Sequence, residues 1–190
     1  MVYDDTGGSI AARFWWMLRW LGHDAVALLD GGWRKWLRED RPVSDVLPEL
    51  ESAHFMGTPH DALWVKSQLI AENLEKPSVR LIDARSPERF MGIGETLDPV
   101  GGHIPGACNY FFQNNLDSMG CFKPAAELRN AFLAVIGDKA PQDVVHQCGS
   151  GVTACHNLLA MEIAGLKGSR LYPGSWSEWC ADPERPMVSP

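Results

Sequence analysis

The sequence predicts an α/β fold, a parallel sheet flanked by helices, arranged as one complete unit preceded by the C-terminal half of another copy. Three observations point there. Strand-like and helix-like segments alternate through residues 60–190, a block of sequence recurs at a shift of 143 positions, and one cysteine stands in a turn between an apolar strand and a helix.

In chain order, Phe14, Trp15, Trp16, Leu18 and Trp20 make a helix that is apolar nearly all round, as suits a helix pressed onto a sheet. A glycine, a short strand and Gly31-Gly32-Trp33-Arg34-Lys35-Trp36 follow. The stretch from Glu39 to Pro59 is rich in Pro, Ser and acidic residues with weak periodicity, which makes 41–59 a linker between a partial unit (1–40) and a complete one (60–190). Val79-Arg80-Leu81-Ile82-Asp83 reads as a buried strand ending in Asp83-Ala84-Arg85. Gly102-His103-Ile104-Pro105-Gly106-Ala107 is a tight turn entering a strand around Asn109 to Phe112. Ala125 to Ile136 has helical spacing through Leu128, Phe132, Leu133 and Ile136, with Lys123-Pro124 ahead of it and Gly137 behind. Asp143 to His146, carrying Val144 and Val145, is a short buried strand, and Thr153 to Ala164 a mostly buried helix closed by Gly165. In parallel α/β sheets ligands gather at the C-terminal strand ends, and Cys148 lies at one.

The recurring block places Gly31-Gly32-Trp33-Arg34-Lys35-Trp36 over Gly174-Ser175-Trp176-Ser177-Glu178-Trp179 and Leu21-Gly22 over Ala164-Gly165. The same shift carries Cys148 to Asp5, so the first copy keeps the turn without the thiol. Only Met1-Val2-Tyr3-Asp4 precedes that turn, and the chain is therefore expected to open in the middle of a domain, leaving apolar surface through which it self-associates.

Composition sets further bounds. The 190 residues are 45% hydrophobic and 22% charged, enough for an ample core, and a formal charge of -7 argues against a nucleic-acid or anionic-membrane surface. No run approaches the roughly 20 apolar residues of a membrane span. Without a basic-then-apolar secretion signal at the start, the expected location is the cytoplasm. Five cysteines in an odd count, with no CxxC pair, point to no zinc site and no full disulfide framework.

Cys148-Gly149-Ser150-Gly151-Val152-Thr153 is the segment that carries chemistry. At the start of a helix the first backbone N–H groups lack intrahelical partners and favour negative charge, so a cysteine there is a stabilised thiolate. The glycines let the backbone wrap closely, and Ser150 and Thr153 offer hydroxyl donors. The plainer reading of a lone cysteine is an inert core thiol. Similarly, Arg89 reads as a substrate clamp or a structural ion pair, Arg85 leans towards pairing with Asp83, and His103 reads as a turn-stabilising residue. Trp33, Trp36, Trp176 and Trp179 read as packing residues, Cys155 as buried, and Cys108, Cys121 and Cys180 have no assigned role.

Taken together, Leu81-Ile82-Asp83-Ala84-Arg85, Glu88-Arg89-Phe90, Gly102 to Ala107, Cys148 to Ala154 and Tyr172-Pro173-Gly174-Ser175-Trp176-Ser177-Glu178-Trp179 resemble the tandem rhodanese family of sulfurtransferases. The resemblance implies a rhodanese-like sheet with one catalytic domain and half of a non-catalytic copy. It implies that Cys148 takes a sulfane sulfur from a small donor, holds it as a persulfide in the anion cradle of residues 149 to 153, and passes it to a thiol or cyanide, with no metal or organic cofactor. For the donor, the Cys-Gly-Ser-Gly-Val-Thr loop resembles members preferring 3-mercaptopyruvate over thiosulfate. That subgroup supplies two arginines for the substrate carboxylate: Arg89 matches the first, Asp98 occupies the place of the second, and Arg85 is a substitute. The rival class is a non-enzymatic sulfur carrier, interaction module or inactive fragment. A cysteine-loop phosphatase fits poorly, because its phosphate-gripping arginine has no counterpart at Thr153 or Ala154.

Overall fold

The structure, a computed structural model, describes residues 1–189. Its elements are α1 (Ala11–Trp20), α2 (Gly32–Arg38), α3 (Ser67–Glu75), β1 (Arg80–Asp83), α4 (Pro87–Phe90), β2 (Cys108–Asn109), α5 (Ala125–Ile136), β3 (Val144–Gln147), α6 (Ala154–Ile163), β4 (Arg170–Leu171) and α7 (Ser175–Cys180). The four strands form one parallel sheet in the order β2-β1-β3-β4. Parallel neighbours need long crossovers, and the helices between them cover both faces of the sheet.

Alternation along the strands assigns each side chain to a face. Leu81 and Val145 face Ile70, Ile104, Trp176 and Trp179, whereas Ile82 and Val144 face Leu128, Phe132 and Ile136 of α5 and Met161 of α6. The central strand β3 is buried along its whole length, including His146, whose imidazole burial alone pushes down to about 3, so it stays neutral. A third cluster joins the two parts of the chain: Val2, Ala11, Ala12, Trp15 and Trp16 pack with Cys148, Ala154, Cys155, Leu158 and Leu159. Helices α1 and α6 therefore share a core.

The helix over 125–136 falls where its spacing places it, and α6 is shorter than expected by one residue at each end. The strand expected over 109–112 is only Cys108–Asn109, because the Tyr110 carbonyl is taken by the Asn157 side chain and the chain turns into a 3-10 helix at Phe112. Residues 41–60 carry no helix or strand and are exposed throughout. The aromatic pairs of the recurring block diverge. Trp176 and Trp179 are fully buried beneath β1, β3 and Ile70, while Trp33 is 38% exposed and Trp36 half-buried. Packing thus holds for the second pair and not for the first, since among the described residues no element equivalent to β1 covers α2.

Candidate active site

The turn after β3 carries Cys148 to the C-terminal edge of the sheet, where the side chain is 2% exposed. The N-terminus of α7 holds the turn in place. Cys148 N–H donates to Ser175 Oγ at 3.1 Å, and the carbonyls of Cys148 and Gly149 accept the N–H groups of Trp176 and Ser177. Ser175 sits at φ 55°, a conformation that the first copy gives to glycine, Gly32 at φ 54°. Strain of about 1–3 kcal/mol at such a position is tolerated when the surroundings fix it. Here the hydroxyl bridges Cys148 N–H to the Tyr172 carbonyl.

The first copy shows what this turn is shaped to hold. Its strand and second helix repeat the same bonds: Trp33 N–H donates to the Asp4 carbonyl as Trp176 N–H does to that of Cys148, and Leu29 N–H to Val2 as Tyr172 N–H to His146. The residue in the cysteine's place is therefore Asp4, not the Asp5 that the helix alignment predicts. The first loop is one residue longer, the extra residue being Ser9, so strand and loop run at a shift of 144 and the helix at 143. Gly7 at φ 72° corresponds to Gly151 at φ 74°. The Asp4 carboxylate accepts the N–H groups of Thr6, Gly8, Ile10 and Ala11 at 2.8–2.9 Å. Burial opposes its charge, but these four donors carry its pKa below the ordinary carboxylate value.

In the second copy the corresponding donors are the N–H groups of Ser150, Val152, Thr153 and Ala154. Among the described residues none of them, nor Gly149 N–H, has a hydrogen-bond partner. A row of free N–H groups in the turn that carries a cysteine is an arrangement that favours an anion. Gly151 is required for this shape. Beyond its positive φ, a Cβ there would meet the Pro173 carbonyl oxygen at 2.5 Å. Gly151→Ala is expected to strain the loop by about 1–3 kcal/mol and, by displacing the donors, to reduce any turnover at Cys148 by about a hundredfold. Unfolding midpoints and steady-state rates measured on the same preparation check both.

Above the loop lies a pocket of about 270 Å³, lined by Cys148, Gly149, Ser150, Val152 and Thr153 below and by Arg89, Leu97 and Asp98 at the mouth. Arg89 is placed there by α4, which Ser86 caps. Its Nε and Nη2 are bonded to Glu95, and Nη2 lies 3.4 Å from Asp98. Only Nη1 has no acceptor among the described residues, and it hangs over Gly149, 3.6 Å from where a Cβ would stand. Burial raises the Glu95 carboxyl, but the Leu97 N–H and the Arg89 guanidinium outweigh it and hold the acid ionised.

Arg85 takes no place in this pocket. Its side chain is 1% exposed, makes a bidentate pair with Asp83 at 2.7–3.1 Å, donates to the Gly102 carbonyl and lies over the Trp176 ring. The substitute clamp read from the sequence is thus a buried structural pair, because the strand end turns Arg85 inward and α4 carries only Arg89 to the mouth. His103 bonds the Phe90 carbonyl and stacks on the Phe90 ring, fixing the turn that follows α4. Ser175, Ser177, Leu97 and Glu95 belong to the site without being marked by any motif of the loop itself. Ser175 alone had a visible signal, since it replaces a glycine of the first copy. Among the described residues there is no cluster of metal-ligating side chains and no helix long and apolar enough to cross a membrane.

Comparison with known proteins gives a consistent picture. The chain matches the rhodanese-like domain over residues 1–39 and 67–182. It is 44% identical over 190 residues to the probable 3-mercaptopyruvate sulfurtransferase of Pseudomonas aeruginosa, covering all of this chain and 67% of that protein. It is 39% identical to the thiosulfate sulfurtransferase of Rattus norvegicus, covering 94% of this chain and 62% of the relative, so it spans about two thirds of the length of the curated relatives it matches. An anaerobic ergothioneine biosynthesis enzyme from Chlorobium limicola shares the fold, with a TM-score of 0.83 at 22% identity over the whole of this chain and 49% of that one.

Proposed function

The chain belongs to the rhodanese-like domain family, and from that premise we propose that it is a sulfurtransferase whose nucleophile is Cys148. The observation that carries the reading is the set of unpartnered N–H groups at 149 to 154, matched in the first copy by four that hold a carboxylate. The Cys148 thiolate attacks the outer sulfur of a donor. With thiosulfate the S–S bond breaks and sulfite leaves with the electron pair; with 3-mercaptopyruvate the C–S bond breaks and the carbon takes the thiol proton to give pyruvate. Both leave an anionic Cys148 persulfide in the cradle, which stabilises it without a side-chain cation. Cyanide or a thiolate then attacks the outer sulfur and regenerates the Cys148 thiolate.

For the donor, 3-mercaptopyruvate is favoured over thiosulfate. No basic residue follows Cys148 in the loop, and Arg89, the one cation lining the mouth among the described residues, is offset by Glu95 and Asp98, so a monoanion fits better than a dianion. Asp98→Asn is expected to raise kcat/KM for thiosulfate about fivefold, the order of 1 kcal/mol that one charge lining the pocket mouth contributes, and to raise that for 3-mercaptopyruvate less. An equal change with both donors would remove Asp98 from donor selection.

Sulfur transfer to cyanide, run with both donors side by side and with intact mass recorded, tests the function. Turnover with a gain of one sulfur at Cys148 supports the enzyme. A persulfide without turnover favours the sulfur-carrier reading, and the absence of both turnover and persulfide overturns both readings. Residues 1–40 and 60–190 read as a partial and a complete unit of one fold. Self-association through the first is supported by Ile10 at 58%, Phe14 at 53% and Tyr3 at 59% exposure.

A further inference from the structure

We propose that Arg13, supplied by the first unit, is a positioning residue that activates Cys148 through the peptide joining Gly151 to Val152. The proposal rests on Cys148 being the nucleophile.

Where α1 and α6 meet, each helix sends one donor to the other unit's loop. Arg13 Nη1 donates to the Gly151 carbonyl at 3.3 Å, and His156 Nε2 donates to the Gly7 carbonyl at 3.0 Å. The two bonds are equivalent by position, since Arg13 and His156 differ by the helix shift of 143 and Gly7 and Gly151 by the loop shift of 144. The His156 proton is on Nε2 because Nδ1 accepts from Asn115.

In the first unit the circuit can be followed to its end. The peptide between Gly7 and Gly8 accepts from His156 at its oxygen and gives its N–H to the Asp4 carboxylate at 2.8 Å. In the second unit, the Gly151 oxygen accepts from Arg13 and from the Cys155 thiol at 3.4 Å. The N–H of the same peptide, on Val152, is one of the unpartnered cradle donors. A peptide's carbonyl and N–H are one conjugated group, so a donor pulling on the oxygen strengthens the N–H as a donor.

The two circuits differ in charge, and in the direction the chemistry asks. Behind the carboxylate loop stands a neutral histidine, pushed down to about 4 by burial. Behind the thiol loop stands a guanidinium, held against the Trp16 ring at 4.9 Å. A carboxyl ionises without help at neutral pH and a thiol does not, so the stronger donor backs the loop that has to make its own anion. Arg13 does not touch the sulfur; it sets the strength of an unpartnered donor in the loop that follows Cys148. The other charged and titratable groups around the loop are Arg89, Asp98 and Glu95 at the mouth and Cys155 on α6, which burial pushes up to about 12 and so keeps a thiol donor.

The test is the rate of Cys148 alkylation by iodoacetamide against pH, followed by intact mass and peptide mapping, in the full chain and in Arg13→Gln, Arg13→Met and Arg13→Lys. In Arg13→Gln the pH of half-maximal alkylation is expected to rise by about one unit, a tenfold slower reaction below the midpoint. Arg13→Lys, which keeps the charge, is expected to recover at least half of that shift. Arg13→Met keeps the stem over Trp16 and drops the charge, so it repeats the result should the glutamine variant fail to fold. A merely structural arginine would lower the unfolding midpoint and leave the pH profile in place, and an unmoved profile in either folded neutral variant overturns the proposal. Alkylation needs no sulfur donor. A chain that moves no sulfur but shows the shift would therefore sink the sulfurtransferase reading alone, and one that turns over without the shift would sink only the role of Arg13.

Discussion

Replacing Cys148 by serine is expected to abolish sulfur transfer with every donor, by at least about a thousandfold, while the protein keeps its fold. A serine hydroxyl is not ionised at neutral pH and cannot store a sulfane sulfur as a disulfide-like bond, so both half-reactions are lost together. The site accommodates the change. The side chain is already buried, its backbone N–H and carbonyl are held by Ser175 and Trp176 regardless of what the side chain is, and the free N–H groups of the loop can donate to an oxygen as readily as to a sulfur. Unfolding midpoints are therefore expected to agree within a few degrees. Sulfur transfer by a folded Cys148→Ser protein would move the chemistry to another thiol and remove the central claim.

The second large effect concerns stability. Arg85→Ala is expected to destabilise the fold by about 3–5 kcal/mol, because it strands the Asp83 carboxylate in the interior. That carboxylate is fully buried, and its remaining partners are the Arg85 N–H and the Gln147 side-chain amide. The loss is a large fraction of the roughly 5–15 kcal/mol that holds a domain folded. It also frees the Gly102 carbonyl and uncovers one face of Trp176. Removing both charges together, as in Asp83→Leu with Arg85→Met, is expected to cost much less than the single change, since no unpaired charge remains. Denaturant titration of the three variants checks the order. A single variant as stable as the parent would return Arg85 to the list of groups free to bind substrate.

Much of the site was legible from local pattern alone. Val144 and Val145 mark a buried strand, Gly149 and Gly151 mark a close turn, and the apolar run from Leu158 marks the helix behind it. Each signal depends only on residues a few positions apart. The same holds for the helix at 125–136 and for the recurrence of Gly-x-Trp-x-x-Trp. Local pattern does not reach cases where a residue's state depends on which distant element covers it. Trp33 and Trp176 occupy equivalent positions, yet only the second is buried, because β1 and β3 lie beneath it. Arg85 and Arg89 leave the same strand end four residues apart, and only packing decides that one turns inward to Asp83 while the other reaches the pocket.

The sequence by itself determined the parallel α/β order, the internal recurrence and the glycine-containing turn that carries Cys148, because glycine placement, hydrophobic period and strand-to-helix turns act over short range. Only the tertiary structure decided that Asp4 rather than Asp5 stands in the cysteine's place, since one inserted residue, Ser9, is invisible until the strand bonds fix the register. It alone showed Arg89 neutralised by Glu95 and Asp98, and Arg13 reaching the loop from 138 residues away. Such contacts follow from how helices and strands pack, and packing joins side chains that share no local pattern in the chain.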